Sequence, residues 1–281
     1  MRKPVLLALA ALAACSRTPV RKAVPGDLLV VEGKVEKGPL GFAAGDLAAL
    51  PRRTVRGADP AAGRVGSFAG PSLAELVVER LPLRPGVDVV VLHGRGGLRV
   101  PVPLNALRQS RPVLATEAEG RPLDGWAGGS GPLLVAWPDA EAPGLDTDPR
   151  IRWWWVRGVA RLEMASWAEK YGRALRVPLG AGDDARRGAD LFASQCLHCH
   201  RIRGQGGEVG PELTAAPLAG GRLERTLPGH LAAVGGGAPE LPGAAASQVA
   251  AFIAAVQAAA GDRPQDEPAP EPERSGARRQ R

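Results

Sequence analysis

Residues 188–200 read Gly188-Ala189-Asp190-Leu191-Phe192-Ala193-Ser194-Gln195-Cys196-Leu197-His198-Cys199-His200. On a helix, positions i and i+3 lie one turn apart on the same face. The Cys196 and Cys199 thiols therefore reach one edge of a common ligand, and the next residue sets an imidazole beside them. This is the C-x-x-C-H attachment sequence of a c-type haem, with both thiols bonded to the vinyl groups and His200 as the proximal iron ligand. Upstream, Ala185, Ala189, Phe192, Cys196 and Cys199 step by four, three, four and three residues, so one continuous helical face leads into the motif. Asp183 and Asp184 stand at the start of that helix, where acidic side chains suit its dipole. The competing reading is a zinc site on Cys196, Cys199 and a His. It lacks the second Cys or His pair that structural zinc usually takes.

Downstream, Val249, Phe252, Ile253 and Val256 fall at i, i+3, i+4 and i+7, one face of an amphipathic helix over Ser247–Ala260 that Gly261 ends. Residues 262–281 hold Pro, Glu and Arg and almost nothing apolar, the composition of a disordered tail.

Gly188-x-x-x-Phe192-x-x-x-Cys196-x-x-Cys199-His200 followed by Gly210-Pro211-Glu212-Leu213 resembles the class I cytochrome c family over residues 184–261. The resemblance implies a small all-α domain and gives the Pro211 carbonyl the hydrogen bond from the proximal imidazole. It also implies that the first and last helices cross where Gly188, Phe192 and Phe252 meet. The family's distal Met has no counterpart. The stretch before the last helix reads Gly235-Gly236-Gly237-Ala238-Pro239-Glu240-Leu241-Pro242, and the chain's methionines are Met1 and Met164. His230, in Leu227-Pro228-Gly229-His230-Leu231, is the candidate distal ligand. An open or water-filled site and a folded-back Met164 are the alternatives.

Residues 27–166 show short Val-, Leu- and Trp-rich strand candidates: Leu28–Val35, Val87–Leu92, Leu98–Val102, Leu133–Trp137 and Trp153–Met164. Ser72-Leu73-Ala74-Glu75 is a capping box opening a helix that ends before Pro82. Val31-Glu32-Gly33-Lys34-Val35, Phe68-Ala69-Gly70-Pro71-Ser72-Leu73-Ala74-Glu75-Leu76 and Gly128-Gly129-Ser130-Gly131-Pro132-Leu133 together resemble the molybdopterin-binding fold of the sulfite oxidase family. Active members ligate molybdenum through a Cys between the positions of Pro51 and Phe68. Here that stretch holds Arg52, Arg53, Thr54 and Arg56, and none of the chain's 3 Cys. The expectation is a cofactor-free docking or spacer module without molybdopterin. Arg52, Arg53 and Arg56 read as a solvated face, Trp153-Trp154-Trp155 as a strand with aromatics on both faces, and His93 as a loop histidine. His198, at an x position of the motif, is expected to face outward. Residues 167–183 read as a helix or linker between the two domains.

At the N-terminus, Arg2 and Lys3 precede an apolar run from Val5 to Ala14, too short for a membrane span and shaped like an export signal. Leu12-Ala13-Ala14-Cys15 resembles a bacterial lipobox, which implies cleavage before Cys15 and its acylation. An ordinary signal peptide with an incidental Cys is the alternative. Residues 16–26 then form a tether. By length and composition no other stretch reads as a membrane span, which leaves lipid as the anchor. Ser16 in place of Asp points to the outer membrane. The formal charge of +7 comes without a basic stripe interleaved with aromatics, which argues against nucleic-acid binding.

The sequence thus reads as multidomain, a β-rich α+β N-terminal domain followed by a small all-α cytochrome c domain. The expected function is a membrane-tethered electron carrier of the bacterial envelope, facing the periplasm and meeting redox partner proteins. A haem enzyme or gas sensor with an open distal face, or a haem subunit docking to a separate molybdenum oxidoreductase, are the rivals.

Overall fold

The computed structural model describes residues 20–127, 129, 131–214, 222–234 and 241–261. Cys15, residues 16–19 of the expected tether, Ala238 and the 262–281 tail lie outside them.

The first half is β-rich. Its strands are β1 (Arg21–Lys22), β2 (Leu29–Gly33), β3 (Leu40–Phe42), β4 (Arg52–Asp59), β5 (Arg64–Pro71), β6 (Val89–His93), β7 (Arg99–Pro103), β8 (Val113–Ala115), β9 (Glu117–Ala118), β10 (Arg121–Pro122), β11 (Leu134–Ala136) and β12 (Arg161–Ala165). Short helices α1 (Ala44–Ala48), α2 (Leu104–Ser110), α3 (Ile151–Trp154) and α4 (Trp167–Tyr171) connect them. One sheet runs β1-β3-β2-β12-β6-β7 and a second β10-β9-β5-β4. β12 lies parallel to β2 and antiparallel to β6.

The apolar run of β6 has a physical reason. Successive side chains alternate faces, so Val90 and Leu92 enter the core of the β-rich half while Val91 joins a second core. That second core belongs to the haem region: α5 (Asp183–Gln195), α6 (Arg222–Val234) and α7 (Gly243–Gly261). One face of the larger sheet is thus covered by the C-terminal half. α5 and α7 cross closely at Gly188, where a Cβ would lie 1.9 Å from the Gln248 carbonyl oxygen. Phe192 and Phe252 pack together near that crossing, with ring centroids 5.6 Å apart and planes at 59°.

Several expectations change. Arg21 and Lys22, placed in the tether, pair with β3, and Arg21 bridges Asp27 and Asp46. Trp153–Met164 is not one strand. Ile151–Trp154 makes a helical turn, Gly158 adopts φ +60°, and the strand begins at Arg161. The turn sends Trp154 and Trp155 into the first core and Trp153 toward the second. Residues 167–183 include a helix but are not a free linker, because Tyr171 and Ala174 are buried in the second core. The haem region is not wholly helical. Arg203 and Gly204, both at positive φ, turn the chain so that β13 (Arg201–Ile202) pairs with β14 (Gln205–Gly206). α7, with mean hydropathy 1.4, is long and apolar enough to cross a membrane, contrary to the expectation that no such stretch follows the export signal. Its Val249, Phe252, Ile253 and Val256 are nevertheless buried in the second core.

The Ser72 hydroxyl accepts a hydrogen bond from the Glu75 amide at 3.3 Å, as a capping box requires, and a π-type turn follows over Glu75–Arg80. Arg52, Arg53 and Arg56 are exposed. His93 ends β6 and lies 3.1 Å from Glu163 through Nε2.

Candidate haem site

Cys196 caps α5, its amide donating to the Phe192 carbonyl at 2.9 Å. The turn continues through the motif. The Cys199 and His200 amides both donate to the Cys196 carbonyl, at 3.1 and 2.9 Å. This local helical geometry sets the two thiols one turn apart. Burial, with Cys199 close by, pushes the Cys196 thiol up to about 12, and burial pushes Cys199 up to about 11.

The His200 Nδ1–H donates to the Pro211 carbonyl at 3.0 Å, which leaves Nε2 as the nitrogen free to bind a metal. The Gly210-Pro211 segment is itself held, since the Gly210 amide donates to the Cys199 carbonyl at 2.9 Å. Only glycine fits at 210: a Cβ there would sit 2.2 Å from His200 Cε1 and 2.7 Å from Nε2. His230 rides on α6, half-buried, between the buried Leu227 and Leu231. Its ring centroid is 5.8 Å from that of His200, with the planes at 51°. An imidazole nitrogen binds a metal at about 2 Å, so two imidazoles sharing one ion have ring centres about 6 Å apart. Burial, and then the nearby His200, lower the His230 pKa and favour the neutral ring that a ligand needs.

The donor set, the glycine cradle and the spacing of the two rings fit a haem that Cys196, Cys199 and His200 would hold. Met164 is not brought to the site; it is buried on β12 in the core of the β-rich half. His198 departs from its expected outward orientation. It is 3% exposed, and its ring stacks on Trp153 with centroids 3.9 Å apart and planes at 30°. No local pattern announces this contact, because the two residues lie on different domains. The backbone ties the same regions together: the Arg99 amide donates to the His198 carbonyl at 3.1 Å and the Glu208 amide to the Gly97 carbonyl at 2.8 Å.

Residues 185–251 match the family model for cytochrome c. The chain carries a cytochrome c domain, which implies a covalently bound haem c and haem-based electron transfer. A solved structure of the sulfane dehydrogenase SoxCD from Paracoccus pantotrophus is similar at 22% identity and a TM-score of 0.37, covering 49% of this chain and 38% of that chain. This chain therefore spans well under half the length of that one. The comparison with curated proteins found no match.

Proposed function

We propose that this chain is a membrane-tethered c-type cytochrome that carries electrons through one haem, bonded by Cys196 and Cys199 and ligated by His200 and His230. The observation that carries the reading is the pair of neighbouring imidazoles, with ring centroids 5.8 Å apart, one of them fixed through Nδ1 by Pro211. When bound, the haem supplies a one-electron couple. The protein's own work is positional. Pro211 orients His200 and raises its basicity, Gly210 keeps room for the ring, and the α5–α7 crossing packs the apolar core that Cys196 joins. With His200 and His230 as its two ligands the iron would be low-spin, which suits a carrier.

Cys15 is the acylated N-terminus and holds the protein to the envelope, on its periplasmic side and in the outer membrane. The β-rich half acts as a cofactor-free docking module for redox partner proteins. In support, the stretch between Pro51 and Phe68 is occupied by an arginine-bearing hairpin, β4–β5, without a thiol.

The test is His230→Ala, followed by optical and electron paramagnetic resonance spectra with and without carbon monoxide. A low-spin wild type that becomes high-spin and binds carbon monoxide on substitution supports the carrier. A wild type that is already high-spin overturns it in favour of a sensor or enzyme.

A further inference from the structure

The haem-attachment turn is more than a tether for the cofactor, because one of its side chains leads out into the other domain. His198 is covalently placed between Cys196 and Cys199, so its ring is a short through-bond step from both expected thioethers. That ring is buried and stacked face to face on Trp153. Trp153 is half-buried and pinned: its Nε1–H donates to Gln195 Oε1 at 3.0 Å, and the Arg152 guanidinium lies 5.2 Å over its ring. The stack does not end in a sealed core. Trp153 and His198 line a cleft of about 190 Å³ between the two halves, together with Trp154, Trp167 and Arg150. A second cleft of about 510 Å³ shares Arg150 and Trp167 with it and runs outward to Arg108 on α2.

From this geometry we infer that the Trp153–His198 stack is the route by which electrons pass between the haem and a carrier seated over this cleft on the β-rich domain. The inference rests on the cytochrome reading above and adds the direction from which the partner approaches. Electron tunnelling decays steeply with empty space and less steeply through packed and bonded atoms. A stacked ring pair joined by peptide bonds to both haem-bearing cysteines is a well-connected path across this interface. In the step, one electron leaves a reduced one-electron carrier protein, which is oxidised by one. It crosses both rings without either being oxidised, and ferric iron is reduced to ferrous. No proton moves. The stack also explains why a polar ring is buried at an x position: His198 Nε2 has no hydrogen-bond partner among the described residues, so packing on Trp153 is what its burial gains.

The experiment uses full-length holoprotein carrying a ruthenium polypyridyl photosensitiser on a single introduced cysteine. One label goes at Arg108→Cys, by the outer cleft, and a control label at Ala233→Cys, exposed on α6. Flash photolysis then reads the rate of electron injection into the haem. Trp153→Leu is expected to slow injection from the Arg108 label several-fold and to leave the Ala233 label unaffected, at unchanged optical spectrum and reduction potential. Trp153→Phe, which keeps a ring and guards against misfolding, restores most of the rate, and His198→Leu slows it as Trp153→Leu does. Equal rates from the Arg108 label in wild type and Trp153→Leu, or an equal loss from both labels, would overturn the route. A protein that holds no covalent haem is a different result, recognised by its spectrum before any flash, and it removes the parent reading along with the route.

Discussion

Replacing Gly188 by Ala sets two effects of known sign against each other. In an exposed helix interior the change stabilises by about 1 kcal/mol, because glycine carries the larger backbone entropy. At this position the new methyl would lie 1.9 Å from the Gln248 carbonyl oxygen, 2.5 Å from its carbon and 2.9 Å from Phe252 Cβ, where ordinary contact begins at 3.4 Å. Two of those three atoms are backbone and cannot rotate away. The helices must part by more than about 1 Å, a gap that forfeits a quarter to a half of the dispersion energy of each contact across it. Phe192, Val249 and Phe252, all fully buried near the crossing, lose packing together. Overpacking costs about 1–3 kcal/mol, here at the upper end, so the net change is a loss of about 2 kcal/mol after the propensity gain. Guanidinium unfolding of the holoprotein, followed by haem absorbance and circular dichroism, should show a lower midpoint with an unchanged slope. The same substitution at Gly229 on α6, where a Cβ meets nothing within 4 Å among the described residues, should raise the midpoint. A Gly188→Ala midpoint equal to or above wild type refutes the crossing argument.

Denatured wild-type protein should keep its haem through acid–solvent extraction, and Cys196→Ala or Cys199→Ala should cost most of the holoprotein; haem extracted from the wild type contradicts the attachment. Burial alone would raise the Glu163 carboxyl, but hydrogen bonds from His93 and Lys170 outweigh it and hold the group at about 2 against its ordinary 4.5. Its contribution to stability is therefore complete above pH 4.5 and lost as the pH falls toward 2, so Glu163→Gln should flatten the acid limb of the stability curve; a limb as steep as wild type would count against the network. Cys15→Ser should release soluble protein or stall processing, and mass spectrometry of the wild-type membrane fraction should find a lipid adduct on Cys15; a wholly soluble wild type excludes the anchor. Elemental analysis of native protein should find no molybdenum; a stoichiometric amount would require an oxygen or nitrogen ligand in the β-rich half.

The parts legible in the sequence are those written in local periodicity. The steps of three and four before Cys196 give α5, the face from Val249 to Val256 gives α7, and Val- and Leu-rich runs give β6 and β7. Residue spacing also gives the C-x-x-C-H turn, whereas Pro211 as the partner of its imidazole, eleven residues on, follows from the resemblance to the class I cytochrome c family. Contacts between distant segments were not legible. Aromatic enrichment made Trp153–Trp155 look like a strand, yet the segment turns as a helix and aims Trp153 at the other domain. His198 looked like a surface residue because nothing near it in sequence says that a β-rich domain will cover it. Val91 carried a signal that could have been read further: an unbroken valine run in β6 means that both faces of the strand are buried, so something must cover the second face.

The edge of the larger sheet has a consequence for how the protein is made. β7 is an outermost strand, and residues 198–208, synthesised about a hundred residues later, supply the backbone bonds at its Gly97–Arg99 end. During export the β-rich half arrives first with that edge bare, open to pairing with any neighbouring chain. Pro101 and Pro103 lack amide hydrogens and blunt the rest of the strand while it waits. Maturation of the cytochrome segment and protection of the sheet edge are then completed by the same stretch of chain, so a molecule that fails to acquire its haem is also one whose sticky border stays open to aggregation or proteolysis.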